Sequence, residues 1–278
     1  MSNFITGIDD FGTMSGVSQG WTFVSFDKVF YKDFQSNAQD ILNNSKLQSF
    51  HAKEFKRNKQ SYYKEFLQLV RDTLSKGDNS FACATLLGQT WKSEFRGFSE
   101  RVIKGAFEQA GLKDTELISA SQFLAAPIFT YFRIASNHIS ANSTTIHIDH
   151  HAITRGFNDI DLIITDQKIS PQIPIIAALN AYRTMQFPNA PEVERNSIEI
   201  LPDEKSFIIQ AADMIGNFSG ALVFKALGKN SNSNNLKAEI MNDVFGDILD
   251  TSNIAELVEI KGEDFVLKSS GSFTFTMS

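Results

Sequence analysis

Three aspartates with apolar neighbours are the residues of this chain best suited to chemistry. Asp9 ends an apolar run that begins at Phe4, Asp149 ends the run 144–148, and Asp213 lies in a late apolar stretch. A carboxylate is costly to desolvate unless it is paired or bound to a cation. If these three met in the folded chain, they would form a divalent-metal site, and the default chemistry there is hydrolysis of phosphate esters.

A second candidate cluster surrounds Asp149 in the run Ile-His-Ile-Asp-His-His. In a strand, His147, Asp149 and His151 would share one face, and this ligand mixture suits Mn²⁺ or Zn²⁺. The Asp-His-His run resembles the third motif of the DHH phosphoesterases, which also use two metals. The chain lacks that family's other blocks, a His-x-x-x-Asp-x-Asp run after the first strand and a late Gly-Gly-His.

Composition restricts the class of protein. The 278 residues include one cysteine, Cys83, which excludes an intrachain disulfide and a four-cysteine zinc site. The 42% hydrophobic content and 25 phenylalanines supply a large core. The sequence shows neither a signal peptide nor an apolar run of about 20 residues. We therefore expect a cytoplasmic protein without a membrane partner.

The net charge of −6 argues mildly against a protein that coats nucleic acid non-specifically. Residues 51–64 nevertheless carry a local positive excess, with Glu54 as their one acidic side chain. Three of the cations are candidates for contacts with a substrate phosphate backbone, namely Lys53, Lys56 and Arg57. The alternative interpretation is a solvated helix face.

Periodicity predicts the elements that must position these residues. Residues 3–11 and 21–29 form a hairpin in this interpretation, and 80–87, 144–151 and 196–201 are further strands. Residues 51–59 could open the second helix, and 159–166 are a strand or a loop. The predicted helices cover 33–43, 62–75, 91–110, 117–137, 174–182, 206–227 and 236–249. Residues 230–235 are predicted to be a flexible polar linker, 257–268 a hairpin, and 273–277 an edge strand.

This order of elements predicts an α/β or α+β domain with a mixed sheet. We assign residues 1–228 to the main domain. Residues 229–278 form a C-terminal extension, a helix plus a β-hairpin, packed on the same domain.

Three blocks of the chain resemble domain-of-unknown-function family 3800. They are Ile8-Asp9-Asp10-Phe11-Gly12, Phe50-His51-Ala52-Lys53-Glu54-Phe55 and Ile209-Gln210-Ala211-Ala212-Asp213-Met214-Ile215-Gly216. The blocks occur in the family's order, and the third is the most specific. Positions 10 and 11 hold Asp and Phe where the family usually has Glu and Ser. The resemblance implies a ribonuclease-H-like mixed sheet flanked by helices, with a helical insertion and a small C-terminal β extension.

The same resemblance implies a two-metal site for Mg²⁺ or Mn²⁺. In such a site Asp9 would bridge two ions about 4 Å apart, Asp149 would hold one of them and Asp213 the other. Either Glu54 or His51 would complete the shell or orient the water, and supporting roles would fall to Asp10, His147, His151 and Gln210.

The function expected from these residues is metal-dependent nuclease activity on DNA or RNA. The alternative is a catalytically inactive ribonuclease-H-like module that binds a protein or nucleic-acid partner in a larger, defence-related assembly. A DHH-type phosphoesterase is the third interpretation. The sequence does not indicate the oligomeric state.

Overall fold

In the part of the chain that the structure describes, strands and helices follow one another in groups. The computed structural model describes residues 4–12, 18–77, 79–87, 144–149, 180, 198–226, 228, 231–247, 258–261, 264–267 and 272–277. The strands are β1 (Phe4–Gly12), β2 (Ser18–Asp27), β3 (Ser80–Leu87), β4 (Thr144–Asp149), β5 (Ile198–Leu201), β6 (Val258–Lys261), β7 (Asp264–Leu267) and β8 (Ser272–Met277). The longer helices among these residues are α1 (Lys28–Ser45), α2 (Gln60–Leu74), α3 (Phe207–Ala226) and α4 (Asn232–Phe245).

Six strands form one mixed sheet in the order β5-β4-β1-β2-β3-β8. Strands β1, β2, β3 and β8 pair antiparallel, whereas β4 lies parallel to β1 and β5 lies parallel to β4. Strand β8 is an edge strand, as predicted, and joins the main sheet; β6 and β7 pair with each other as a hairpin. The coarse prediction of an α/β fold with a mixed sheet flanked by helices is therefore confirmed.

The three parallel strands of the sheet direct the chain to the same end of the sheet. Because β1, β4 and β5 run in the same direction, the residues at their carboxyl ends are neighbours. The last β1–β4 pair is Ile8 with Ile148, so Asp9 and Asp149 follow side by side. Their Cα atoms are thus separated by about 5 Å, the spacing of adjacent strands.

Helix α3 lies directly on the middle of the sheet, against β1 and β2. Glycines allow this close approach: a Cβ on Gly7 would collide with the backbone of Ile208. Further along, the ring of Phe11 fills the space left by Gly216 and Gly220. Helix α3 is long and apolar enough to span a membrane by length and composition, but 83% of that stretch is buried inside the protein. It is the central core helix of this fold.

Phenylalanine rings connect the other helices to this core. The rings of Phe50 and Phe66 stack with centroids 4.1 Å apart, and Phe34 packs between Phe26 and Phe66. Helix α4 adds Phe245, whose ring meets Phe81 of β3 edge-on. The large phenylalanine content of the chain is thus used in joining helices to the sheet.

Several predicted elements are confirmed with small shifts of their ends. The predicted helix over 33–43 extends to Lys28–Ser45, because the Asp27 carboxylate caps the first turn by accepting a hydrogen bond from the Val29 N–H. Residues 51–59 contain two 3₁₀ turns, Ala52–Glu54 and Arg57–Lys59, rather than the start of a helix. The predictions for 91–110, 117–137 and 159–166, and for 174–182 apart from the helical Asn180, lie outside the described residues.

The prediction of a flexible linker at 230–235 is wrong. Residues from Asn232 onwards belong to α4, and the Ser231 hydroxyl caps it by accepting a hydrogen bond from the Asn234 N–H. Polar side chains suit the exposed first turn of a helix as well as a linker, so composition misled the prediction. The apolar face that holds this helix begins later, with Ile240 and Val244 buried.

We predict that Gly7→Ala destabilises the protein by about 1–3 kcal/mol, because the added methyl group forces β1 and α3 apart. Gly220→Ala is the matched control. Its new methyl group would lie 3.2 Å from the ring of Phe11, a mild contact compared with the collision at Gly7, and alanine favours the helix. Urea unfolding of both variants measures the difference. Equal stability of the two variants would contradict the proposed close contact at Gly7.

Candidate metal centre

Asp213 is the best-anchored carboxylate of the site. It projects from the second turn of α3 and its side chain is 2% exposed. One oxygen accepts a hydrogen bond from the Ala52 N–H at 2.7 Å, and the other accepts one from the Asn217 amide at 2.5 Å. These donors fix the orientation of the carboxylate within an otherwise apolar helix face.

Asp9 and Asp149 bring two further buried carboxylates to the same place. Both are buried, at 5% and 6% exposure: Asp149 is the last residue of β4, and Asp9 lies on β1 directly after the last β1–β4 pair. Burial raises the pKa of Asp9 well above its usual value of 3.8, and the negative charges of Asp213 and Asp149 raise it further. The backbone N–H of Asp10 offsets this in part by donating to the Asp9 carboxylate at 2.7 Å. The negative charges of Asp149 and Asp213 therefore disfavour the ionised form of Asp9 in this buried region.

A histidine and a fourth acid complete the cluster on the side of Asp213. The Nδ1 atom of His51 lies 2.8 Å from an oxygen of Asp213 and 2.9 Å from an oxygen of Asp203. A single N–H cannot align with both oxygens, so the interaction has mainly the character of an ion pair. The contacts with Asp203 and Asp213 raise the pKa of His51 to about 10, although partial burial opposes this.

Asp203 is a site residue that the sequence interpretation missed. It is 6% exposed and lies in a 3₁₀ turn two residues beyond the end of β5, the third strand of the parallel group. Burial by itself would raise the pKa of Asp203, but the contact with His51 outweighs it and the pKa is lowered. The signal in the sequence was an acid just after a predicted strand, the same signal that identified Asp149.

Gln210 joins the two segments that carry His51 and Asp203. Its side-chain oxygen accepts a hydrogen bond from the Phe50 N–H at 2.9 Å, and its amide nitrogen donates to the Asp203 carbonyl at 2.9 Å. Gln210 and Asp213 lie three residues apart on α3 and so share one helix face. The predicted supporting role of Gln210 thus corresponds to a positioning contact rather than to a ligand.

His147 is directed into a different contact. Its Nδ1 atom lies 2.8 Å from the hydroxyl of Ser206, the residue before α3, and that hydroxyl also bonds to Tyr31. The Nε2 atom is 3.9 Å from a carboxylate oxygen of Glu199. Burial lowers the pKa of His147. A neutral imidazole in this contact helps to hold the start of α3 against β4.

The remaining predicted residues lie around the cluster. Asp10 belongs to the opposite face of β1, since side chains alternate along a strand. Lys53 and Glu54 are exposed in the 3₁₀ turn that follows His51. Lys56 and Arg57, a few residues later, are exposed as well. His151, and with it the second half of the DHH-like run, lies outside the described residues.

The donor set fits a divalent cation. Among the residues that the structure describes, the metal-ligating atoms found within 4.8 Å of one another belong to His51, Asp203 and Asp213, so this compact set differs from the predicted trio. Metal–ligand bonds of about 2.1 Å separate neighbouring ligands by roughly 3–4 Å, so only small movements are needed. One imidazole with several carboxylates suits Mn²⁺, and the carboxylates alone suit Mg²⁺.

Comparison with known proteins adds no functional information. No protein-family model matches the chain, and no curated protein or solved structure matches it. The resemblance to family 3800 therefore stays a prediction, and the function has to be inferred from the residues of the site.

We predict that Asp9→Asn stabilises the metal-free protein by about 0.5–2 kcal/mol at pH 8. An acid whose pKa is raised on folding is neutral in both states at low pH. It destabilises the fold progressively as the pH rises from its unfolded value of 3.8 through its higher folded value. The gain from Asp9→Asn should therefore be present at pH 8 and nearly absent near pH 4. Urea unfolding in EDTA at the two pH values measures it, and a variant less stable than wild type at pH 8 would contradict the predicted repulsion.

Proposed function

We propose that this chain is a divalent-metal-dependent nuclease that hydrolyses phosphodiester bonds of DNA or RNA. The observation that carries the proposal is the burial of Asp9, Asp149 and Asp213 within the range of mutual repulsion. Without a cation such an arrangement costs stability, and a protein retains such a cost where function requires it. Buried carboxylates at the ends of adjacent strands are the expected ligands of Mg²⁺ or Mn²⁺.

A ribonuclease-H-like fold and membership of family 3800 are the finer parts of this proposal. The support is the position of the acids: Asp9 is on a central strand, Asp149 is on the adjacent parallel strand, and Asp213 is on the helix that crosses them. That is the arrangement implied by the family resemblance. The strand order is compatible with it: β1, β2, β3 and β8 pair antiparallel, and β4 and β5 continue the sheet parallel to β1.

The residues present define how such a site would work. Asp9, Asp149 and Asp213 would hold the ions, with Asp203 as a further ligand beside Asp213 and His51 as another once its Nδ1 proton is displaced. When bound, such ions activate a water molecule and stabilise the leaving oxygen. The Ala52 N–H and Asn217 orient the carboxylate of Asp213. Gln210 fixes the two backbone segments on either side, and the apolar residues of α3 exclude bulk water from beneath the acids.

A catalytically inactive binding module is the second candidate, favoured by the contact of His51 with two carboxylates. An imidazolium at this position balances part of the acidic charge without any metal ion. In that case the site would be a structural ion-pair network, and the module would bind a protein or nucleic-acid partner. Metal dependence distinguishes the two candidates.

We predict that saturating Mn²⁺, about 100 times its Kd, raises the melting temperature of the wild type by roughly 5 °C, because only the folded state binds the ion. Asp149→Asn and Asp213→Asn should abolish the increase, whereas Asp40→Asn on the exposed face of α1 should retain it. Under the same conditions, cleavage of a labelled oligonucleotide should fall at least ~100-fold in Asp9→Asn. An equal thermal shift in all variants, or none in the wild type, would favour the inactive module.

We predict that Lys53→Ala and Lys56→Ala each weaken nucleic-acid binding and reduce its salt dependence. Both side chains are exposed beside the segment that carries His51, and each phosphate contact contributes about 0.7–0.9 to the slope of log K against log salt. Lys64→Ala is the control, since Lys64 is engaged 2.8 Å from Asp243. Unchanged slopes in the first two variants would assign these lysines to ordinary surface.

A further inference from the structure

A pocket lies beside the candidate metal centre, between the second 3₁₀ turn and the start of α4. Its volume is about 310 Å³. One wall is formed by Phe55 and Arg57, and the other by residues from the first turns of α4, including Asn232, Leu236 and Glu239. A cavity of this size is at the lower end of the range for small-molecule sites, roughly 300–1,000 Å³.

The wall of the pocket is continuous with the site. The Ala52 N–H donates to Asp213, and the Phe55 N–H donates in turn to the Ala52 carbonyl. The ring of Phe55 packs perpendicular to Phe218, five residues beyond Asp213 on α3. The ammonium group of Lys237 lies over both rings, 5.8 Å and 5.7 Å from their centroids. A ligand in the pocket would therefore lie next to a group held at the metal centre.

The lining has the mixed chemistry that a nucleotide needs. Arg57 is an exposed guanidinium suited to a phosphate. The apolar surfaces of Phe55 and Leu236 suit the face of a base, and Glu239 can accept hydrogen bonds from base amino groups. The side-chain oxygen of Asn235 is buried and accepts no hydrogen bond from the described residues. A base N–H is a suitable donor for that oxygen after a small rotation of the amide.

We propose that this pocket binds one unpaired nucleotide of a single-stranded substrate, adjacent to the phosphodiester at the candidate metal centre. The proposal rests on the proposed function and names its substrate class. The pocket is walled on two sides by protein and accommodates a single nucleotide, so a base must leave its stack to enter. Proteins meet this requirement readily with single strands, whose bases are free to contact aromatic and apolar side chains.

The test measures binding in EDTA, where hydrolysis is absent, by fluorescence anisotropy. The probes are a fluorescein-labelled oligothymidylate of about twelve nucleotides and the same strand in a duplex with oligoadenylate. We expect wild type to bind the single strand at least ~10-fold more tightly than the duplex. Arg57→Ala should weaken binding several-fold and reduce the salt slope by about 0.7. Phe55→Leu, which keeps an apolar side chain of similar size, should weaken it about 5- to 10-fold.

Two further variants keep the test independent of any folding defect in Phe55→Leu. Asn235→Asp has nearly the same shape but adds a negative charge to the pocket, so it should weaken single-strand binding by about tenfold. Lys76→Ala removes a positive charge beyond the far end of α2, roughly 20 Å away, and should bind like wild type. Equal affinity for single strand and duplex would overturn the proposal, and so would wild-type affinity in both Arg57→Ala and Asn235→Asp.

The failure of this inference is distinguishable from the failure of the nuclease proposal. Stabilisation by Mn²⁺ together with wild-type binding in the pocket variants would refute the nucleotide pocket and leave the metal centre intact. Weakened binding in Arg57→Ala and Asn235→Asp, without any Mn²⁺ effect, would support the pocket in a protein that binds nucleic acid without cleaving it.

Discussion

The burial of Asp213 on the inner face of α3 is the constraint on which the rest of this structure depends. An acid in an apolar helix has to find donors, and two segments of the chain supply them, residues 51–52 and α3 itself. The Ala52 N–H comes from the chain before α2, Asn217 comes from the next turn of α3, and His51 adds a positive charge. The position of residues 50–52 is therefore determined by the needs of one carboxylate, and Gln210 reinforces it with a second pair of hydrogen bonds.

Close packing of α3 on β1 converts that local arrangement into a multi-residue site. The helix approaches the strand closely only because Gly7 lacks a side chain, and this approach brings Asp213 towards Asp9. Phe11 occupies a position where family 3800, which the chain resembles, usually has serine. Its ring is accommodated by Gly216 and Gly220 on α3. The large side chain next to the acids thus serves the packing of α3 and is 3% exposed.

Patterns along the sequence predicted the parts of the fold that are determined locally. Alternation identified β2, short apolar runs identified β1 and β3, helical spacing identified α2, and a long apolar stretch identified α3. The acids next to apolar residues were identified as candidates for one site, and Asp9, Asp149 and Asp213 are all buried. Each of these features depends on a residue and its near neighbours, and a single sequence displays such features directly.

The parts that the sequence did not reveal depend on contacts between distant segments. Asp203 follows a predicted strand, but it belongs to the site because β5 pairs with β4 and because His51 contacts it from another segment, and the sequence shows neither contact. His147 was a candidate ligand by its residue type, but its Nδ1 atom forms a hydrogen bond with the hydroxyl of Ser206, 59 residues away. The first turn of α4 was taken for a linker because exposed polar residues serve either structure.

The most direct measurement is a titration of the wild-type protein with Mn²⁺, with the free ion followed by electron paramagnetic resonance. If the carboxylates form a divalent-metal centre, the wild type will bind manganese, Asp213→Asn will lose that binding, and Asp40→Asn will behave like wild type. If the free-ion signal of the wild type is the same as that of Asp213→Asn at every concentration, the cluster of buried acids is not a divalent-metal centre.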